Sequence, residues 1–178
     1  MDPGLHLLQG KTKVVTDLPA LLHEFYRDKL AEMLRHIAGA RLISQYDANN
    51  TYQYVINREE TQLTWVGQSI LELGGGVDSS GVEPERKPQG KAAAAANAVL
   101  DEDVRTAQEF LDRWRPRVEA MSDVHNRQRN MLNVILNETV EQKRFFEQAR
   151  AGRTDLLGRR TEGVGKLVGE VMATRWIE

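Results

Sequence analysis

Two segments of the chain set carboxylates and a glutamine close together on long amphipathic stretches: Glu59-Glu60-Thr61-Gln62 and Glu138-Thr139-Val140-Glu141-Gln142. In the core of a helical bundle, Glu-x-x-His puts a carboxylate and an imidazole on one face. Two such helices, with one further Glu from each of two others, hold a pair of metal ions. Here glutamine stands where each histidine would be. An imidazole nitrogen is a strong ligand for a transition metal, and a neutral amide oxygen is a poor one. The spacing points to the helices of such a centre, while the residue types speak against its chemistry.

The whole-chain totals narrow the function further. At 178 residues, with 40% hydrophobic and 28% charged residues, the chain suits one ordinary globular domain with a real core. A net charge of −2 and a pI near 6.1 supply no global field to recruit nucleic acid or anionic lipid. The absence of cysteine excludes disulfides, thiolate zinc sites, iron–sulfur clusters and cysteine nucleophiles. Residues 1–15 lack an apolar run ahead of a small-residue cleavage site, and no stretch approaches the roughly 18 apolar residues of a membrane span. A cytoplasmic protein is the expectation.

The elements that must position these residues are helical. The first opens at Thr16-Asp17-Leu18-Pro19, a cap followed by a first-turn proline. Leu22, Tyr26, Leu30, Met33 and Ile37 recur at spacings of three and four, and the pattern ends near Ser44. Asp47-Ala48-Asn49-Asn50 reads as a turn and N-cap. The second helix carries Val55, Glu59, Gln62, Val66, Ile70 and Leu73 on one face and stops at Gly74-Gly75-Gly76. Residues 74–90 hold five of the fourteen glycines and two of the five prolines, the composition of a connection. The alanine run 92–96 leads into helix 3 or forms a short helix in a crossover spanning 74–98. Helix 3 shows Leu100, Val104, Ala107, Leu111, Trp114, Val118 and Met121, with a kink expected at Pro116. Ser122-Asp123 offers the cap of helix 4, which carries Gln128, Leu132, Ile135, Thr139, Gln142, Phe146 and Ala149 and ends at Gly152.

Four helices, two short connections and one long one make an all-α four-helix bundle in which helices 2 and 3 run parallel. Residues 1–16 form an N-terminal extension, 17–152 the bundle and 153–178 a tail. In the tail Val164, Leu167, Val168, Val171, Met172 and Trp176 form an apolar face, expected to be a short amphipathic helix.

Glu59-x-x-Gln62-x-x-Trp65 leading into Ile70-Leu71-Glu72-Leu73-Gly74-Gly75 resembles helix 2 of the ferritin-like superfamily, nearest in style to bacterioferritin and rubrerythrin domains. Leu100 to Val104 through Trp114-Arg115 is similar to that family's helix 3, and Ile135-Leu136 through Phe145-Phe146 to its helix 4. The resemblance covers about residues 17–152 and implies an up-down-down-up bundle with a di-iron or di-manganese centre and a homodimeric habit. Carried over residue by residue, the helix 1 glutamate falls on Glu32, the helix 2 pair on Glu59 and Gln62, and the helix 3 glutamate on Ala107. The helix 4 pair falls on Thr139 and Gln142, or on Glu138 and Glu141 after a one-residue slip. Two carboxylates offset the mutual repulsion of two divalent ions poorly, and no nitrogen donor remains in the set.

The leading expectation is therefore a ferritin-like domain that has lost its di-metal centre and serves as a binding or structural module with no cofactor. If any metal binds, the residues are Glu32, Glu59, Gln62, Glu138, Glu141 and Gln142. The alternative is an iron or manganese oxidoreductase with non-standard ligands, to which His36 would add a nitrogen. His36 lies four residues after Glu32, but the expectation for it is an exposed or core-edge position, and Glu138 reads equally well as a solvated charge. Trp65, Trp114, Phe145 and Phe146 read as core packing. The glycines at 74–81 follow a helix and lack a Gly-Lys-Ser/Thr sequence, which excludes a phosphate loop. Arg150, Arg153, Arg159 and Arg160 are diluted by Asp155 and Glu162, so no nucleic-acid partner is expected. A homodimer, and a protein partner reached through 164–176, are the expected associations.

Overall fold

The computed structural model describes residues 17–82, 92–153 and 156–157. Among these the regular structure is helical: α1 (Leu18–Ala40), α2 (Tyr46–Glu72), α3 (Ala92–Glu119) and α4 (Asn126–Arg150), with a single 3-10 turn at Asp123–His125. The chain is an all-α four-helix bundle in which α1 packs along α2 and α3 along α4 as two hairpins, joined by the long connection between α2 and α3.

Local chemistry sets the helix ends. The Asp17 side chain accepts from the Ala20 amide at 3.2 Å, and Pro19 sits in the first turn, where its missing N–H would have had no partner. At the end of α2, Gly74 adopts φ +80°, so the Gly75 amide reaches the Ile70 carbonyl and the Gly74 amide reaches that of Leu71. Gly152, also at φ +80°, closes α4 in the same way. Asp47-Ala48-Asn49-Asn50, expected as a turn, lies inside the first turns of α2. The reason is the Asn49 side chain, whose Nδ2 donates to the carbonyls of Ala40 and Ile43 at 2.7 and 3.2 Å. It thereby satisfies the end of α1 rather than capping α2. Ser122-Asp123 opens the 3-10 turn without a side-chain cap bond, and α4 starts only at Asn126; Arg129 binds Asp123, Asn126 and the Met121 carbonyl and holds that corner.

The hairpins meet in opposed register. Glu24 pairs with Arg117, Asp28 with Arg113 and the Trp114 indole, and His36 lies beside Asp103, which aligns α1 against α3. Tyr54 stacks edge-on to Phe145, Gln62 bonds Glu138 and Glu72 pairs with Arg127, which aligns α2 against α4. Two apolar clusters fill the bundle. One centres on Leu22, Phe25, Ile70, Trp114 and Leu132. The other centres on Ile43, Tyr52, Val55, Leu100 and Phe146. A buried polar layer stands between them. The helix expected in the tail and the N-terminal extension lie outside the described residues.

Candidate functional site

The polar layer begins with the face that α1 turns inward. Leu18, Leu22, Phe25, Lys29, Glu32 and His36 succeed one another at spacings of three and four, and all six are buried. The first half of this seam is apolar and the second half is ionisable. A purely apolar template instead follows Leu22, Tyr26, Leu30, Met33 and Ile37, of which Tyr26, Met33 and Ile37 are only half-buried. α2 contributes Tyr52, Glu59 and Gln62 to the layer, α3 contributes Asp103 and Ala107, and α4 contributes Thr139 and Gln142.

Lys29 stands at the middle of this layer with a side chain that is 0% exposed. Its Nζ donates to Glu59 Oε1 at 2.8 Å, to Glu32 Oε2 at 3.4 Å and to Gln142 Oε1 at 3.5 Å, and lies 5.3 Å from the Phe110 ring centroid. The other oxygen of Glu59 meets His36 Nδ1 at 2.8 Å. His36 Nε2 lies 3.9 Å from Asp103 Oδ1, and the Tyr52 hydroxyl donates to Asp103 Oδ2. A continuous chain of charged and polar groups thus runs Glu32, Lys29, Glu59, His36, Asp103, Tyr52. Thr139 stays outside it, its hydroxyl donating to the Ile135 carbonyl of its own helix at 3.0 Å.

Electrostatics make this chain self-neutralising. Burial pushes the Glu59 carboxyl up, but His36 and Lys29 beside it reverse that and hold it below the usual range, so it is ionised. Burial pushes Lys29 down and Glu59 with Glu32 overrides it, so the ammonium keeps its proton. His36 follows the same pattern: burial works against its charge, and Glu59 wins, raising it above its ordinary value. Glu32 is the exception. Burial dominates over Lys29 and raises its carboxyl. A cleft of about 380 Å³ between α1 and α3, lined by Asp28, Arg35, Thr106, Phe110 and Arg113, runs down to Glu32.

The chain matches no family model, no curated protein and no solved structure.

Of the expected site residues, the fold brings Glu32, Glu59, Gln62 and Gln142 into the buried layer. Glu138 is half-buried and accepts from Arg58 and, at 2.6 Å, from Gln62 Nε2. Glu141 is exposed, and with Glu138 and Gln142 it lines a different cleft between α2 and α4. His36 corrects the expectation of an exposed or core-edge ring: it is 2% exposed and bonded to Glu59, because Phe146 and Tyr52 pack against it at centroid distances of 5.0 and 6.2 Å. Lys29, Asp103 and Tyr52 were not anticipated. The available signal was the charged continuation of the α1 seam.

A di-metal centre does not fit these residues. The volume between Glu32, Glu59 and Gln142 is taken by the Lys29 ammonium, a fixed positive charge where a cation would sit. Ala107 and Thr139 supply no donor to it. Among the described residues, no three His, Asp or Glu side chains converge as a metal ion would require.

Proposed function

We propose that this chain is a ferritin-like bundle in which a lysine has taken over the electrostatic role of the metal, and that it works as a non-catalytic binding or structural module. The observation that carries this reading is the Lys29 ammonium, buried within hydrogen-bonding reach of two carboxylates and an amide. Carboxylates gathered in a bundle core need a cation to offset them. Lys29 supplies it from within the chain. The ferritin-like, up-down-down-up assignment is supported by the opposed register of α1 with α3 and of α2 with α4, and by the long connection before α3.

A homodimer and a cytoplasmic location belong to the same proposal. Among the described residues no helix is long and apolar enough to cross a membrane. The apolar tail segment 164–176, proposed as the route to a protein partner, lies outside the described residues.

Elemental analysis of protein purified without chelator tests the central claim. Sub-stoichiometric iron and manganese is the expected result, and about two ions per chain would overturn it. Light scattering on the eluting protein tests the dimer, which a clean monomer would remove.

A further inference from the structure

One flank of α1 carries apolar residues that the four-helix core does not fully bury. Tyr26, Leu30, Met33, Ile37 and Ala40 follow one another at spacings of three and four, beside the buried seam that holds Lys29. Tyr26, Met33 and Ile37 on this flank are only half-buried. A facing stripe on α2 runs Gln53, Ile56, Glu60, Leu63, Gly67 and Leu71, again at spacings of three and four. Two clefts lie in line between the stripes. One, of about 270 Å³, is lined by Ile37, Ala40, Arg41, Asn49, Gln53 and Ile56. The other, of about 460 Å³, includes Tyr26, Leu30, Met33, Leu63, Gly67 and Leu71, with Val77 at its edge. Leu71 is 54% exposed and Val77 39%. Two helices with apolar stripes along a shared outer groove offer the surface against which a third helix packs.

The chain holds one segment of that form. Val164, Leu167, Val168, Val171, Met172 and Trp176 recur at helical spacings, and Gly165, Gly169 and Ala173 stand beside them at every fourth position. As a helix, 164–176 would be about 20 Å long, and the groove from Tyr26 to Ala40 measures about 21 Å along α1. The starting point is also right. Ala149, in the last turn of α4, packs on the cluster that contains Ala40, Ile43 and Ala48, so the chain leaves α4 beside the α1–α2 corner. The six residues 158–163 then span up to about 20 Å, enough to pass one neighbouring helix. The other two long stretches outside the described residues fit the groove poorly. Residues 83–91 contain no apolar side chain apart from their prolines, and Leu5, Leu7 and Leu8 are followed at once by Gly10.

We propose that residues 164–176 dock as a helix in the α1–α2 groove of their own molecule, with Val164 near Ile37 and Ile56 and Trp176 near Tyr26 and Gly67. Two internal glycines cost a helix about 1 kcal/mol each, so the segment gains its helix from the groove and not alone. The short tether keeps it at millimolar effective concentration, which favours its own bundle over a second copy. The inference goes beyond the module reading: any protein partner reached through 164–176 has to compete with this groove. The two fail separately, because metal content reports on Lys29 and its carboxylates and not on the tail.

The test uses the full chain, whose lack of cysteine lets Lys166→Cys or Thr174→Cys carry a single nitroxide off the apolar stripe. In isotope-labelled protein the label at 166 should quench the amide signals of Ile37 and Ile56, and the label at 174 those of Tyr26 and Gly67. The signal loss should not change on dilution. Met33→Glu, which sets a charge in the groove, should abolish it at both ends. If Met33→Glu fails to fold, Val168→Glu, in the tail, should do the same in a folded bundle. No quenching along the groove, quenching only when nitroxide-bearing and isotope-labelled molecules are mixed, the two ends reversed, or indifference to both substitutions would each overturn the proposal.

Discussion

Replacing Lys29 by Met keeps most of the side-chain volume and removes the positive charge at the centre of the bundle. The Nζ–Oε1 distance to Glu59 is 2.8 Å. At an effective dielectric near 20 that contact corresponds to about 6 kcal/mol of attraction, before the cost of taking both ions out of water is set against it. Breaking a buried pair by removing one partner costs about 3–5 kcal/mol. Two features place this variant at the lower end. Glu59 retains His36 at 2.8 Å, and Glu32, already raised by its burial, takes up a proton readily. The expected loss is therefore about 3 kcal/mol at pH 7, or roughly 6–12 °C in Tm for a chain of this size. Urea denaturation followed by circular dichroism measures it. Adding Glu59→Gln should recover about 1–2 kcal/mol of the sum of the two single losses, because the double variant no longer buries either unmatched charge. A Lys29→Met protein as stable as the original at pH 7, or strictly additive single and double variants, would refute the claim that Lys29 balances the buried carboxylates.

The remaining expectations rest on neighbouring contacts. The folded value of His36 is raised, so its contribution is complete below about pH 6.5 and is lost as pH rises through that higher value. Glu32 is also raised, so its contribution is complete below about pH 4.3 and lost as pH rises through its folded value, whereas Glu59 is lowered, so its contribution is present above about pH 4.3 and lost as pH falls through its folded value. Urea midpoints measured from pH 5 to 9 should fall on the alkaline side, and His36→Gln should flatten that fall; a profile that rises from pH 6 to 9 contradicts the network. Asp28→Ala removes the acceptor of the buried Trp114 indole N–H at 2.9 Å and should cost about 1–3 kcal/mol by the same denaturation assay. A Cβ at Gly75 would lie 2.9 Å from the buried Ile70 Cγ2 and 3.2 Å from its carbonyl, so Gly75→Ala should cost about 1–3 kcal/mol; an unchanged melting temperature would show that the loop yields instead.

The bundle was legible because apolar residues at spacings of three and four mark helices whatever their partners are. α2 and α4 show this best: the buried faces through Glu59, Gln62 and Val66, and through Ile135, Thr139 and Gln142, coincide with the periodic ones. α1 was read one residue out of phase. Its true seam turns charged at Lys29, and a template that counts only apolar residues slides to Tyr26 and Met33. The centre was half legible for the same reason. Glu59 and Gln62 carry a recognisable spacing along one helix. Lys29 acquires meaning only from Glu59, thirty residues away, and from Gln142 on the last helix. A lone lysine on a helix ordinarily faces water, so nothing in its local sequence announces that it is buried. Asp103 and Tyr52, joined across two hairpins, were hidden by the same distance in sequence.

A wholly apolar centre would be at least as stable as this one, since buried ion networks seldom outperform well-packed hydrocarbon. What the polar layer supplies is register. The apolar clusters above and below it, around Phe25 and Trp114 at one end and Tyr52 and Phe146 at the other, are held by contacts without a preferred direction. The ionic contacts do not. Moving α1 by one turn against α2 would part Lys29 and His36 from Glu59 and leave charges buried without partners. Moving α3 would part Asp103 from Tyr52, and moving α4 would part Glu138 from Gln62 and Arg58. The same constraint bears on two buried amide atoms without a hydrogen-bond partner, Gln62 Oε1 and Gln142 Nε2. Glu138 and Lys29 hold Gln62 and Gln142 in fixed orientations, and that fixity points one acceptor and one donor away from their charged neighbours.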